Sequence, residues 1–305
     1  MNEYLYHIDR SNLAVTSIGL DGEELDQVTN LEKPQILVQP GYLVATAYDT
    51  LGKYTCDYEI IKTLDITTSI GNVVIVKINS RGKALVAGPA KVTDMARLIL
   101  ELKNYQLDKI IIDGAFSRHV FAKITQATIL VVGANYSRDI DLVVNDAVIL
   151  HKKFSLKYHD LKDFCFGDKI CLINDDNMMI NLEYSSIIGN VDRFFNLDFK
   201  NISKVYFPKS LTNKFAERLI VERRRCKFDI IVDSPINIQV HHGLLKKLFQ
   251  LENQLYVDNP LNLSLVCYNP VSPLGYEFDN EEFKKKLTMN LGREVFNVLE
   301  GERDE

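Results

Sequence analysis

Three short runs of aliphatic and β-branched residues, Val73–Ile78 (VVIVKI), Lys109–Ile112 (KIII) and Thr128–Val132 (TILVV), constrain this chain most. The first is nearly all apolar and reads as a strand buried on both faces. Between and after the runs lie helical spacings. Thr93 stands where an N-cap belongs, ahead of Met95, Leu98, Ile99 and Leu102, and Ser137 stands ahead of a helix running to about Lys152. The last two runs end in Asp113-Gly114-Ala115 and Gly133-Ala134. Strand, glycine turn and helix in alternation predict an α/β fold, mainly a parallel sheet with crossover helices. In such sheets the ligand crevice lies outside the carboxyl ends of the strands.

The pattern changes after residue 153. Lys169–Ile173 and Met178–Leu182 flank the turn Asn174–Asn177, and Val205–Phe207, helix Leu211–Arg225 and Asp229–Val232 read as a βαβ unit. Ile36–Val38 and Tyr42–Ala45 around Pro40-Gly41 read as a hairpin, and Asp279 starts a charged terminal helix. The expected division is into residues 1–155 and 156–305, a length suited to two domains.

A net charge of −5 excludes a globally basic nucleic-acid binder. No run of 18 uncharged apolar residues is present and the N-terminus has no signal-like core, so a cytoplasmic protein with no membrane partner is expected. The five cysteines form no C-x-x-C pair and read as reduced core thiols. Adjacent His241 and His242 make a poor metal clamp, because neighbours on a helix point apart. Arg223–Arg225 with Lys227 reads as a solvated helix end.

Two segments carry candidate chemistry. Asp113 closes an apolar strand, where a carboxylate can stand near bound magnesium, and Gly114 lets backbone approach a ligand. Capping the next turn is the plainer use of such an Asp. Thr16–Glu24 (TSIGLDGEE) offers a hydroxyl, two glycines and several acids, which suits a loop touching Mg-nucleotide or a solvated loop. No G-x-x-x-x-G-K-[ST] loop occurs, so the usual backbone and lysine cradle for β- and γ-phosphates is missing. G-x-G-x-x-G, G-x-S-x-G and H-E-x-x-H are missing too.

The stretches VTSIGLDGEE, LEKPQILVQPGYLVAT, VAGPA, IIIDGA and VVGANYSR resemble the smaller, MutL-like component of the reactivating factor for lysine 5,6-aminomutase. The resemblance covers residues 2–155 and thins to Asn269–Phe283 (NPVSPLGYEFDNEEF) beyond them. It implies a P-loop NTPase-like fold that uses ATP and magnesium. The partners it implies are a cobalamin-dependent aminomutase, of lysine or ornithine, and a companion ATPase subunit. In that family a strand, a P-loop and a helix precede the segment matching VTSIGLDGEE. This chain opens at Met1-Asn2-Glu3-Tyr4-Leu5, similar to the middle of that helix, so the resemblance implies a lost first strand and an exposed sheet edge. By the same resemblance Asp113 is the acid nearest magnesium or the attacking water. Thr16, Asp21 and Glu23 form the loop sensing the γ-phosphate, and Arg118 and Arg138 contact phosphate or partner. The rival readings are an ATP-dependent ligase or kinase of dethiobiotin-synthetase-like fold, and a non-catalytic interaction protein that has lost ATP.

Overall fold

A computed structural model describes residues 12–19, 35–114, 124–159, 161 and 164–299. They form two compact units. One takes the chain up to Ile124 and again from Val298, and the other runs Thr125–Asn297.

The first unit contains β1 (Leu13–Ser17), β2 (Ile36–Val38), β3 (Leu43–Ala47), β4 (Tyr58–Thr68), β5 (Gly71–Ile78), β6 (Gly82–Ala84), α1 (Val92–Leu102) and β7 (Lys109–Asp113). Its main sheet has the order β4-β5-β3-β1-β7. β3, β1 and β7 are parallel, whereas β5 and β4 extend the sheet antiparallel. The middle strands are buried on both faces because their residues feed two cores in alternation. Leu13 and Val15 join Val44, Val74 and Val76 on one side, while Ala14 joins Leu43, Ala45, Val73 and Ile75 on the other. α1 covers the second side with Met95, Leu98 and Leu102, whose spacing puts them on one helical face. Each such side chain contributes about 1.5–3 kcal/mol on burial.

Two expectations are corrected here. β2 and β3 do not form a hairpin: β2 pairs antiparallel with β6, Ile36 opposite Ala84, and β3 pairs with β1 and β5. The turn at Pro40-Gly41 exists, with Gly41 at φ +92°, but it joins strands that pair elsewhere. Thr93 is not the cap of α1 either; Lys91 stands there without a side-chain capping bond.

The second unit contains β8 (Thr128–Gly133), α2 (Ile140–Phe154), β9 (Cys171–Asn174), β10 (Met179–Asn181), α3 (Val191–Phe195), β11 (Ile202–Phe207), β12 (Leu211–Thr212), α4 (Asn213–Val221), β13 (Asp229–Val232), β14 (Ile238–Gln239), α5 (His242–Leu248), β15 (Leu255–Val257), β16 (Leu263–Asn269), β17 (Val271–Ser272), β18 (Tyr276–Glu277), α6 (Asn280–Leu291) and β19 (Phe296–Asn297). One sheet has the order β10-β9-β11-β13-β15, with β11, β13 and β15 parallel, as the βαβ pattern predicts. A core of phenylalanines 194, 195, 199, 207, 215 and 228 fills the space under α3, α4 and α5. A second sheet, β19-β16-β8, is parallel throughout. Leu130, Val132, Val266 and Tyr268 of this sheet pack against Val143, Val144, Ala147 and Leu150 of α2 and Phe283 and Leu287 of α6.

That packing explains why the division expected at residue 155 falls inside a unit. β8 pairs with β16 over Leu263–Asn269, and α2 packs on α6, so residues 125–154 belong with the C-terminal half. The architecture is mixed α/β with several sheets, some of them parallel. No helix among the described residues is long and apolar enough to cross a membrane.

Candidate functional site

The carboxyl ends of three parallel strands lie side by side in the first unit. Ser17 of β1 is in register with Asp113 of β7, and Ile18 N–H donates to the Asp113 carbonyl at 2.9 Å. β3 ends beside them at Thr46-Ala47. The segment Val86–Pro89 is bonded to these ends. Ser17 Oγ donates to Val86 O (2.7 Å), Ala47 N–H donates to Ala87 O (2.7 Å), and Ala87 N–H donates to Thr46 Oγ1 (3.0 Å).

The hydroxyls here form a closed set. Thr16 Oγ1 donates to Ala45 O at 2.9 Å and Thr50 Oγ1 donates to Ala47 O at 2.8 Å. Thr50 has thereby used its one proton, so Thr46 donates to Thr50 Oγ1 across 2.7 Å. Thr16, Thr46 and Thr50 are buried. Burying a hydroxyl without a partner is costly, and each of these donates to a backbone carbonyl of another residue or to a neighbouring hydroxyl. Gly88 lies so close to β1 that a Cβ would stand 2.0 Å from Ser17 O and 2.6 Å from Thr16 Oγ1. No site motif marks Ser17, Thr46, Thr50 or Gly88 in the sequence; Ser17 lies within TSIGLDGEE, and Gly88 within VAGPA, one of the stretches that carry the resemblance.

Of the expected site residues, Thr16, Asp113 and Gly114 come together at these strand ends. Asp113 and Gly114 are exposed, and Asp113 makes no ion pair among the described residues. The Thr16 hydroxyl is committed to Ala45 O. Asp21, Glu23 and Arg118 lie outside the described residues, in segments that begin just after Gly19 and Gly114. Arg138 belongs to the second unit, where its guanidinium stands 5.1 Å from the centre of the Tyr276 ring.

That contact is part of a junction between distant segments. Gly133 is in register with Asn269, Ala134 N–H donates to Asn269 O (2.9 Å), and Tyr276 Oη donates to Ala134 O. The stretches VVGANYSR and NPVSPLGYEF therefore meet at the carboxyl ends of β8 and β16.

A second polar group closes β13 and β15. Buried His159 accepts from Leu161 N–H at Nδ1 (3.1 Å), which leaves Nε2–H to donate to Asp258 Oδ1 (3.0 Å). Both ring nitrogens are engaged, so His159 acts as a strut between segments rather than as a base. Tyr206, stacked on Phe166 at 4.1 Å, has its phenol pushed well up by burial and by the carboxylates of Asp233 and Asp258.

All five cysteines are free. Cys56, Cys171 and Cys226 are buried, with burial pushing the Cys226 thiol up to about 11, while Cys165 is exposed. Among the described residues no group of three or more His, Cys, Asp or Glu side chains could hold a metal ion. His242 Nδ1 pairs with Asp146 at 2.9 Å, and His241 supplies the cap position of α5. In the basic run, Arg225 holds Glu222 and the Phe195 carbonyl, and Arg223 donates to Ile220 O (3.1 Å), a helix end tied to its own surroundings. Compared with known proteins, the chain matches no family model, no curated protein and no solved structure.

Proposed function

We propose that this chain is a component of an ATP-dependent, chaperone-like reactivating factor that exchanges damaged cobalamin on an adenosylcobalamin-dependent aminomutase, of lysine or ornithine, together with a companion ATPase subunit. The observation that carries the reading is the placement of Asp113-Gly114 beside Thr16-Ser17 at adjacent parallel strand ends, with Gly88 backbone packed against them. The carboxyl ends of parallel strands are where α/β proteins bind ligands. A second support is the meeting of VVGANYSR with NPVSPLGYEF, two stretches that carry the resemblance from opposite ends of the second unit.

Asp113 is chemically suited to magnesium: an exposed carboxylate at the end of a parallel strand, with no competing cation among the described residues. Bound Mg-ATP would supply the free energy that makes the cycle directional. Asp113 would hold the metal or orient a water. Thr16 keeps the strand end rigid through Ala45 O rather than offering its hydroxyl. Reactivation then follows from linkage, because a factor that binds an open mutase conformer better than the closed one shifts it toward release of damaged cobalamin. This role places the protein in the cytoplasm, with its cysteines reduced.

One observation favours a second reading, an interaction protein that has lost ATP: the hydroxyls of Thr16, Ser17, Thr46 and Thr50 bond inward to the protein itself. The deciding experiment combines the full chain, its companion and a cobalamin-inactivated aminomutase with Mg-ATP. Release of damaged cobalamin is expected, and its failure sinks the reactivation reading. Asp113→Asn is expected to slow nucleotide turnover by about 100-fold with an unchanged thermal melt. Unchanged turnover removes Asp113 from the site.

A further inference from the structure

We propose that two copies of this chain associate through the outer edge of β7, in an antiparallel β7–β7 junction centred on Ile111 that sets Lys109 of the second copy beside Asp113. β7 is bonded to β1 on one side over five residues and pairs with no other strand among the described residues. Ile18 N–H donates to the Asp113 carbonyl, so Asp113, and with it Ile111, turns its peptide groups toward β1. Successive residues of a strand alternate, so Ile110 and Ile112 turn theirs outward. Two N–H and two C=O groups on each copy thus face the open edge, the situation that templates pairing with another strand.

Main chain, side chains and charges choose the same register. A two-fold axis through Ile111 sets Ile110 opposite Ile112 of the second copy, twice. Those are hydrogen-bonded pairs, and all four outward groups of each copy are satisfied. Ile111 then faces itself, and Lys109 faces Asp113 at both ends, because Lys-Ile-Ile-Ile-Asp is self-complementary when reversed. Opposite charges across a strand pair stabilise it and like charges oppose it. A shift of two residues either way sets Ile111 against Lys109 or against Asp113, and both ion pairs are lost. The three isoleucines are half-buried, Ile110 and Ile112 on the α1 side and Ile111 on the other, so the junction completes both cores at the edge. No proline or inward-pointing charge blunts the strand, the usual device against such pairing. The association does not depend on the nucleotide reading, and it would set a cation beside the carboxylate to which that reading gives magnesium, so that Lys109 of the second copy and the metal compete for Asp113.

Sedimentation velocity of the full chain tests this from about 1 to about 100 µM, where a junction of this small size dissociates. A reversible dimer is expected. Lys109→Asp and Asp113→Lys, each facing a like charge across the axis, are expected to weaken it by about tenfold or more. The double variant carries the same pairs reversed and is expected to restore it. A covalent readout is independent of charge. Ile111→Cys in a Cys165→Ser background places two thiols across the axis at a non-hydrogen-bonded pair, about 4.5 Å apart at Cα, a spacing that a disulfide spans. Mild oxidation is expected to crosslink it faster than Ile110→Cys. A monomer at every concentration overturns the proposal, and the edge is then left to an extended segment of another protein. A dimer that ignores the charge reversals, or that the double variant fails to restore, overturns it as well.

Discussion

Replacing Gly88 by alanine is expected to lower the stability of the first unit by about 3 kcal/mol, the upper end of the usual cost of overpacking. The added Cβ would stand 2.0 Å from Ser17 O and 2.6 Å from Thr16 Oγ1, well inside van der Waals contact. Neither atom can give way cheaply. Ser17 is a strand residue in register with Asp113, and Thr16 is buried with its hydroxyl on Ala45 O. Relief requires Val86–Pro89 to lift away, which breaks the bonds from Ser17 Oγ to Val86 O, from Ala47 N–H to Ala87 O and from Ala87 N–H to Thr46 Oγ1. Each broken bond costs about 0.5–1.5 kcal/mol net, and more where a buried group is orphaned. Gly114→Ala is the matched control at the same strand ends. Among the described residues its Cβ would meet only the Ile18 side chain, closest at Cδ1 (2.9 Å), the far end of a flexible side chain, so a loss below about 1 kcal/mol is expected. Urea denaturation of both variants measures the contrast. Equal losses would show that close approach of the Gly88 backbone does not hold these strand ends together.

The contrast also shows what a sequence can and cannot disclose. Features governed by neighbours along the chain were legible. Asp279 caps α6 by accepting from Glu282 N–H at 2.8 Å, as Asp-Asn-Glu-Glu predicts. The turn Asn174–Asn177 joins β9 and β10, with Asn177 in the left-handed region at φ +59°. The apolar strand ending in Asp113 was legible for the same reason. The cap of α2 was misplaced by two residues: Asp139 accepts from Asp141 and Leu142 N–H, while Ser137 only accepts from Asp139 N–H. Features that depend on distant partners were not legible. A Pro-Gly turn marks a reversal but does not say which strands pair after it. Here β2 found β6 nearly fifty residues on, Ile36 opposite Ala84. The hydroxyl set at the candidate site is of this kind, since Ser17 and Val86 are separated by 69 residues. The unit boundary is too, because β8 takes its partner from β16, far along the chain.

Lys153→Met is expected to raise the stability of the second unit by about 2–3 kcal/mol near pH 7. Lys153 lies in the last turn of α2, only 7% exposed, with its ammonium 5.8 Å from the Phe154 ring centre and no carboxylate paired to it among the described residues. Burial alone lowers its pKa to about 8 from an ordinary 10.5. A buried amine with a depressed pKa resists the charged form, so below about pH 8 the folded state carries a charge it would rather shed. At 1.36 kcal/mol per pH unit, that difference corresponds to a penalty of about 3 kcal/mol at neutral pH. The negative end of the helix dipole offsets a few tenths of it. Between about pH 8 and 10.5 the unfolded chain binds more protons at this residue than the folded one. Stability therefore rises with pH through that window, and the penalty vanishes above it. Methionine keeps most of the apolar stem and removes the charge, so the variant loses this rise. Urea titrations at pH 7, 9 and 10.5 are expected to show the largest gain at pH 7 and convergence with the wild-type chain at the highest pH. A gain that does not shrink between pH 7 and 10.5 would mean that better packing, not relief of a buried charge, is what methionine provides. A loss at pH 7 would mean that the ammonium has a counter-charge after all, and that Lys153 stabilises the end of α2 rather than straining it.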